Sequence, residues 1–436
     1  MTNKYFHLIT IGCQMNKADS ERIAAFLIDK GYQSQDSWEQ ADLIILTTCG
    51  VRQSAEDRVY GLINRIRKEN TAAVIVVTGC LAKRKDVMRR LVGKVDLFMP
   101  INELPNILEL LKRSKPETVL SFDEVRELSG EKYLAITPQY QSDYTAYVPI
   151  GNGCNNFCSY CVVPYARGRE VYRQAGKIIS EIKSLVAKGY KEIVLIAQNV
   201  NSYHSGDYDF PKLLSELVNI PGHFWLRFSS SHPKDMSDEL IRIIGSSDKI
   251  ANHLHLAVQS GDDEILEAMN RKYNSAHYRE LITKVRLARP GIAITTDAIV
   301  GFPGETEAQF QNTVKLFKEI KFEMAYTAQY SPRPGTVSWK MADDVSHEEK
   351  ERREKILTAI LAETSLAADQ KYLNQEVEVL VDGVNAHGKF YGKTSSYKTV
   401  LFTADKPLQE LIGQFVKVKI DKALTFGLEG KFIAVE

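Results

Sequence analysis

Cysteine is scarce in this chain, and none of it is spare. The six cysteines among 436 residues fall into two sets of three: Cys154, Cys158 and Cys161 in GCNNFCSYC, and Cys13, Cys49 and Cys80 spread through the N-terminal region. Nothing is left over for a disulfide framework, which excludes a stapled secreted domain. The pattern fits a reducing, cytoplasmic setting where thiolates stay free to bind metal. Charge of one sign is missing too. Lys and Arg number 56 against 55 acids, so the net charge of +1 gives no global attraction to nucleic acid, and any such partner must be held by local basic groups. MTNKYFHLITIG lacks the charged, apolar and small-residue succession of a signal peptide. No apolar run reaches the roughly 20 residues that cross a bilayer, so no membrane association is expected. Low-complexity tracts and internal repeats are absent. A hydrophobic content of 44% over this length suits two or three domains, each with its own core.

Three short β-branched runs with few polar breaks are present near the start: YFHLITIG (4–12), DLIILTT (42–48) and AVIVVTG (73–79). Such runs read as fully buried strands of a parallel sheet. Helical patterns over 20–30 and 52–70 separate them, the second with Val59, Leu62, Ile63 and Ile66 on one face. The alternation predicts a doubly wound α/β domain. Ligands gather beyond the carboxyl ends of such strands, and Cys13, Cys49 and Cys80 each follow one of the three runs directly. A lone cysteine there is most often a small core hydrophobe. Three in equivalent places can converge, because neighbouring parallel strands lie about 5 Å apart. No histidine has ligand spacing beside them, and three thiolates leave a gap that a structural zinc would not want.

GCNNFCSYC follows a further strand-like run at 145–150, and five more runs succeed it, at 192–199, 224–230, 253–259, 292–300 and 324–330. Helical stretches separate them, among them 175–188 and 308–318. Six β/α units predict an open, partial barrel related to the eight-fold one, with its chemistry at the strand C-termini. AQNVNSY, FSSSHP, VQSG, GFPGET and YSPRPG all begin there. Three thiols on one loop can hold a 4Fe-4S cluster with one iron open to another ligand; a zinc site would usually add a fourth ligand nearby. Gln259 and Ser260 are plausible polar contacts for a cofactor; GFPGET alone is more often a turn than a ligand cradle, and its place at a strand's end makes the two readings about even. His253 and His255 alternate with leucines and read as a satisfied core pair. Arg167, Arg169 and Arg173 just after the cysteine loop are candidates for a phosphate-contacting rim.

A long charged helix over 346–372, opened by Ser346 with Glu349 three residues on, leads to a C-terminal module of short alternating strands, a small all-β barrel. Residues 375–436 carry eight lysines and eight acids. The stretch 383–404 nevertheless holds Lys389, Lys393 and Lys398 with no acid, interleaved with Phe390, Tyr391 and Tyr397. Basic groups among aromatics suit single-stranded RNA, so Lys389, Phe390, Lys393 and Lys398 are candidate RNA contacts. The expected domains are 1–118, 140–370 and 372–436.

On GCQMNKADSE, TCGVRQSAED, TGCLA, GCNNFCSYCVVPYARGRE, QNVNSY, QSGDDEILEAMNRKY, DAIVGFPGET and YSPRPGT, the chain resembles the radical S-adenosylmethionine methylthiotransferase family from Lys4 to its end. GCQMN, QNVNSY and the TRAM-like tail look most like its MiaB branch. The resemblance implies that Cys154, Cys158 and Cys161 hold a 4Fe-4S cluster at which S-adenosylmethionine is cleaved to a radical. It further implies that Cys13, Cys49 and Cys80 hold an auxiliary 4Fe-4S cluster carrying the sulfur to be inserted, with a second S-adenosylmethionine as methyl donor. By the same resemblance Tyr160, Ile299 and Gly301 would lie near the cofactor's adenine. The implied substrate is carbon 2 of an isopentenylated adenosine beside the tRNA anticodon, with electrons from a small protein such as flavodoxin or ferredoxin. Sister branches act on threonylcarbamoyl-adenosine or on a ribosomal protein; a non-catalytic iron–sulfur RNA-binding protein is the alternative of another class. Thr48, Tyr172 and Ala257 depart from residues common in the family, and none is a cysteine ligand.

Overall fold

The computed structural model describes residues 4–51, 53–113 and 130–436. The predicted end of the first domain, at 118, lies outside them. The N-terminal sheet is parallel, in the order β2-β1-β3-β4-β5: β1 Lys4–Thr10, β2 Tyr32–Ser34, β3 Leu43–Thr48, β4 Val74–Gly79 and β5 Leu97–Phe98. Every residue of β3 is buried, as expected of a central strand covered on both faces. Helix α2, Gln53–Glu69, buries Val59, Tyr60, Ile63 and Ile66 against one face.

Helix α1 spans Gln14–Asp29 and starts directly after Cys13, well before the predicted 20. Its first half carries no apolar period because its polar residues are buried instead: Asn16, Asp19, Ser20, Glu21 and Arg22 all lie inside. Asn16 and Asp19 face the second domain, where both accept from Arg167, while Ser20 turns to Thr10 and Thr47 of the N-terminal sheet. Met15 and Ala18 of α1 pack on Tyr147, Val194 and Ile196.

Those three residues belong to the central open barrel. Its strands run in sequence order and in parallel: β6 Thr145–Pro149, β7 Glu192–Ile196, β8 Trp225–Phe228, β9 His253–His255, β10 Ala293–Val300 and β11 Met324–Gln329. Isolated bridges Leu226–Ile250 and Ser231–Leu256 join the two three-stranded halves. Helices clothe the outside over one continuous apolar core. Several strands end sooner than their apolar runs, since the final residues turn into loops.

Helix α3, His347–Asp369, is capped as predicted, with Glu349 N–H donating to Ser346 Oγ at 3.2 Å. It leads to a closed five-stranded barrel, β12 Glu376–Val384, β13 Phe390–Lys393, β14 Thr399–Thr403, β15 Phe415–Leu424 and β16 Gly427–Val435, in the order β12-β13-β14-β16-β15. This module seals the end of the open barrel opposite the cysteine loops. Trp225, Leu380 and Phe415 form one apolar contact. The β13–β14 hairpin enters the barrel end, where Arg227 donates to the carbonyls of Ser395 and Thr394, both at 2.7 Å. Tyr397 stacks on His253 at 5.1 Å.

Arg227 also pairs with buried Glu192 at 2.6 Å, so removing it strands a carboxylate inside the barrel. Arg227→Met is expected to destabilise the protein by about 3–5 kcal/mol in urea denaturation, and to expose the C-terminal module to limited proteolysis. Wild-type stability with an intact proteolytic pattern would contradict this account of the seal.

Candidate active site

The strands that precede Cys13, Cys49 and Cys80 are β1, β3 and β4, which are immediate neighbours in the sheet. The three cysteines therefore emerge side by side at its carboxyl edge. Their loops touch. A Cβ added to Gly12, which has φ +128°, would stand 2.7 Å from Cys49 Cβ, and one on Gly50 would stand 3.2 Å from Cys80 Cβ. Thr48, one of the departures from the family pattern, ties two of these loops together. Its hydroxyl donates to Thr78 O at 2.5 Å and accepts from Leu81 N–H at 3.2 Å.

The second triplet sits on the loop after β6. Cys154 N–H donates to Gly168 O of the same loop at 3.1 Å, Ser159 N–H to Met269 O at 3.0 Å, and Ser338 N–H to Ser159 O at 2.8 Å, so two other barrel loops hold it. QNVNSY acts as scaffold here. Gln198 Oε1 accepts from Gly153 N–H at 2.5 Å, Ser202 Oγ meets Tyr172 Oη at 2.8 Å, and Tyr203 Oη donates to Arg173 O at 2.8 Å. Arg271 is buried beside the triplet. Its Nη1 points to Cys158 Sγ at 3.4 Å and its Nη2 donates to Ala257 O at 2.9 Å.

The segments carrying the two triplets meet across the domain interface, where Arg167, six residues after Cys161, donates to Asn16 Oδ1 at 2.9 Å and Asp19 Oδ2 at 2.7 Å, just after Cys13. Burial pushes the Cys154 thiol up to about 11, and raises Cys161 and Cys80 as well. Metal ligation needs thiolates, so these buried sulfurs suit a cationic group that deprotonates them. The spacing bears on which group. Among the described residues neither triplet brings its three sulfurs within 4.8 Å of one another, whereas sulfurs around one tetrahedral zinc lie about 3.8 Å apart, given Zn–S of about 2.3 Å. The donor set fits a cluster with several metals better than a single ion. Arg333, from YSPRPG, clamps the interface by donating to Gln53 Oε1 at 2.7 Å and Val51 O at 3.0 Å, beside Cys49.

Comparisons with known proteins agree with this layout. Family models match at residues 148–317 (Radical SAM superfamily), 5–99 (Uncharacterized protein family UPF0004) and 370–433 (TRAM domain). The tRNA-2-methylthio-N(6)-dimethylallyladenosine synthase of Thermoanaerobacter pseudethanolicus is 40% identical, covering 99% of this chain and 93% of that protein. That of Carboxydothermus hydrogenoformans is 39% identical, covering 99% of this chain and all of that protein (100%). The chain belongs to the radical S-adenosylmethionine methylthiotransferase family. It is an enzyme of that class, with S-adenosylmethionine and a 4Fe-4S cluster as family cofactors. A solved radical S-adenosylmethionine methyltransferase, TsrM from Kitasatospora setae, shares the fold at 14% identity, with a TM-score of 0.54 over 75% of this chain and 73% of that one.

Within the methylthiotransferase, Tyr160 and Ile299 come together in one apolar group with Ile265, Met269, Phe302 and Tyr330. Gln259 is buried and takes φ +68° where its backbone bridges to β10. Ser260 and Gly301 are both held by the surrounding packing. The Ser260 hydroxyl turns into the helix layer toward Thr313 Oγ1 at 3.4 Å. Gly301 is required by packing, since a Cβ there would meet Lys350 Cγ at 2.3 Å.

The expected basic rim is corrected more strongly. Arg167 is buried in an ion pair with Asp19 at 2.7 Å, and Arg173 is tied to Glu181 and, at 3.0 Å, to Pro149 O. Arg169 alone of the three is exposed, with its guanidinium over Phe157 at 4.4 Å. In the C-terminal module, Phe390 stacks on Phe402 at 5.5 Å in the core, Lys398 pairs with Glu323 at 2.5 Å and Asp369 at 2.7 Å, and Lys393 lies over the Tyr397 ring at 4.5 Å. Lys389 is half-buried, 3.5 Å from Glu429. Phe390 thus serves the module's own core, and Lys398 ties the module to Glu323 and Asp369 outside it.

Arg271 and Arg333 were missed. Both lie in family-like motifs, yet nothing in the sequence marks which arginines are buried. Arg271→Met is expected to lower cluster occupancy or S-adenosylmethionine cleavage by about 10–100-fold, the usual cost of losing a hydrogen-bond partner to a metal ligand. Iron content and 5′-deoxyadenosine yield measure it, and wild-type values for both would contradict the role.

Proposed function

We propose that this methylthiotransferase inserts sulfur and methylates at carbon 2 of isopentenyladenosine adjacent to the anticodon of tRNA. The activity for which relatives matching the chain nearly end to end are named supports the substrate. The observation that carries the two-site reading is the contact of Arg167, six residues after Cys161, with Asn16 and Asp19 on the helix that follows Cys13. In this reading Cys154, Cys158 and Cys161 hold the cofactor-cleaving cluster, and Cys13, Cys49 and Cys80 hold an auxiliary 4Fe-4S cluster. Bound with S-adenosylmethionine, the first cluster would supply the radical chemistry that an unactivated aromatic C–H bond requires, and the second the sulfur.

The chain's own residues supply position and dryness. Arg271 steadies Cys158, Arg333 fixes the Cys49 loop, and Tyr160 with Ile299 offers an apolar wall. Exposed Arg169, Tyr165 and Trp339 on the loops that frame the triplets offer charge and stacking surface to an anticodon stem-loop. A small one-electron donor such as flavodoxin or ferredoxin, a cytoplasmic location, and domains at 1–118, 140–370 and 372–436 complete the proposal. No helix of the described residues is long and apolar enough to cross a membrane.

The test uses anaerobically reconstituted protein and an anticodon stem-loop bearing isopentenyladenosine. Cys158→Ala is expected to abolish both cofactor cleavage and methylthio product, while Cys49→Ala retains cleavage and loses sulfur insertion. Normal methylthio product from either variant overturns the assignment.

A further inference from the structure

One buried side chain reaches from the loop of one triplet to the helix that follows Cys13 of the other. Arg167 ends the short helix Val163–Arg167, which begins two residues after Cys161. Its side chain is 2% exposed, and that of its partner Asp19 is 0% exposed. The guanidinium donates to Asp19 Oδ2 at 2.7 Å, Asn16 Oδ1 at 2.9 Å and Asn152 Oδ1 at 3.0 Å. Its positive charge also bears on Cys80 and Cys13. Asn16 in turn donates to Ile11 O at 2.6 Å, two residues before Cys13. Tyr133 Oη donates to Asp19 from the other side.

We propose that Arg167, oriented by Asp19, is a positioning residue that sets the reduction potential of the auxiliary cluster and locks its place relative to Cys154, Cys158 and Cys161. The inference rests on the two-cluster reading above. A buried cation beside cluster sulfurs favours the more negative, reduced state and raises the potential; a buried carboxylate nearby does the reverse. Lysine could supply the charge but not the planar fork that serves three side-chain oxygens at once. A pair that only glued the domains together would lose cluster or stability when either partner was removed. A pair that tunes the cluster shifts its potential in opposite directions for the two partners.

The experiment uses the full chain with Cys154, Cys158 and Cys161 replaced by Ala, so that one cluster remains. Iron and sulfide analysis comes first, and a chain that binds neither after reconstitution overturns the auxiliary-cluster reading and this inference with it. With the cluster loaded, an EPR-monitored redox titration is expected to give a higher midpoint for Asp19→Asn and a lower one for Arg167→Gln, with Arg167→Lys between wild type and Gln. If Arg167→Gln fails to load, Asp19→Asn and Arg167→Lys still decide. Midpoints unchanged in both, or shifted in the same direction, overturn the role of Arg167 while leaving the two-cluster reading intact.

Discussion

The site depends on burying the polar first half of α1 against the inner face of the open barrel. Asn16, Asp19, Ser20, Glu21 and Arg22 are taken out of water there, and buried polar groups are costly unless they find partners. Arg167 and Tyr133 satisfy Asp19, Thr10 and Thr47 meet Ser20, and the Gln141 N–H donates to Glu21. Burial still dominates at Glu21, whose carboxyl is pushed up to about 7. The contacts of Asn16 and Asp19 with Arg167 are directional, and they leave α1 one seating on the barrel. Cys13 caps that helix, so its seating fixes where the first triplet faces the second.

The two ends of the central barrel are used for different purposes. At the strand C-termini, loops from six β/α units and from the N-terminal sheet converge on six thiols. At the opposite end, a hairpin of the C-terminal barrel fills the opening around Arg227, His253 and Tyr397. Burial and the charge of Arg227 push the imidazole pKa of His253 well down, so it stacks on Tyr397 as a neutral ring. The C-terminal module is thereby tied to the barrel and brings its remaining surface in fixed relation to the site.

Much of this was legible in the sequence. Short β-branched runs ending in cysteine marked both the doubly wound sheet and the edge where the thiols meet, since a buried parallel strand needs little more than an apolar run. The start of α1 was not legible, because periodicity finds helices by their apolar face and this one buries polar groups. Lys398, Phe390 and Arg167 misled for a related reason. A basic or aromatic residue looks free until the partner is seen, and Asp369, Phe402 and Asp19 lie 29, 12 and 148 residues away in the chain. Thr48, Tyr172 and Ala257 depart from family habit yet hold the loops by hydrogen bonds, two of them through hydroxyls and one through a backbone carbonyl that any residue offers.

The most direct test of the account is mass spectrometry of nucleosides from total tRNA of a deletion strain, with and without the gene restored. Methylthio-isopentenyladenosine should vanish on deletion, leave isopentenyladenosine in its place, and return with the wild-type gene. An unchanged nucleoside profile would contradict the assignment of this enzyme to tRNA.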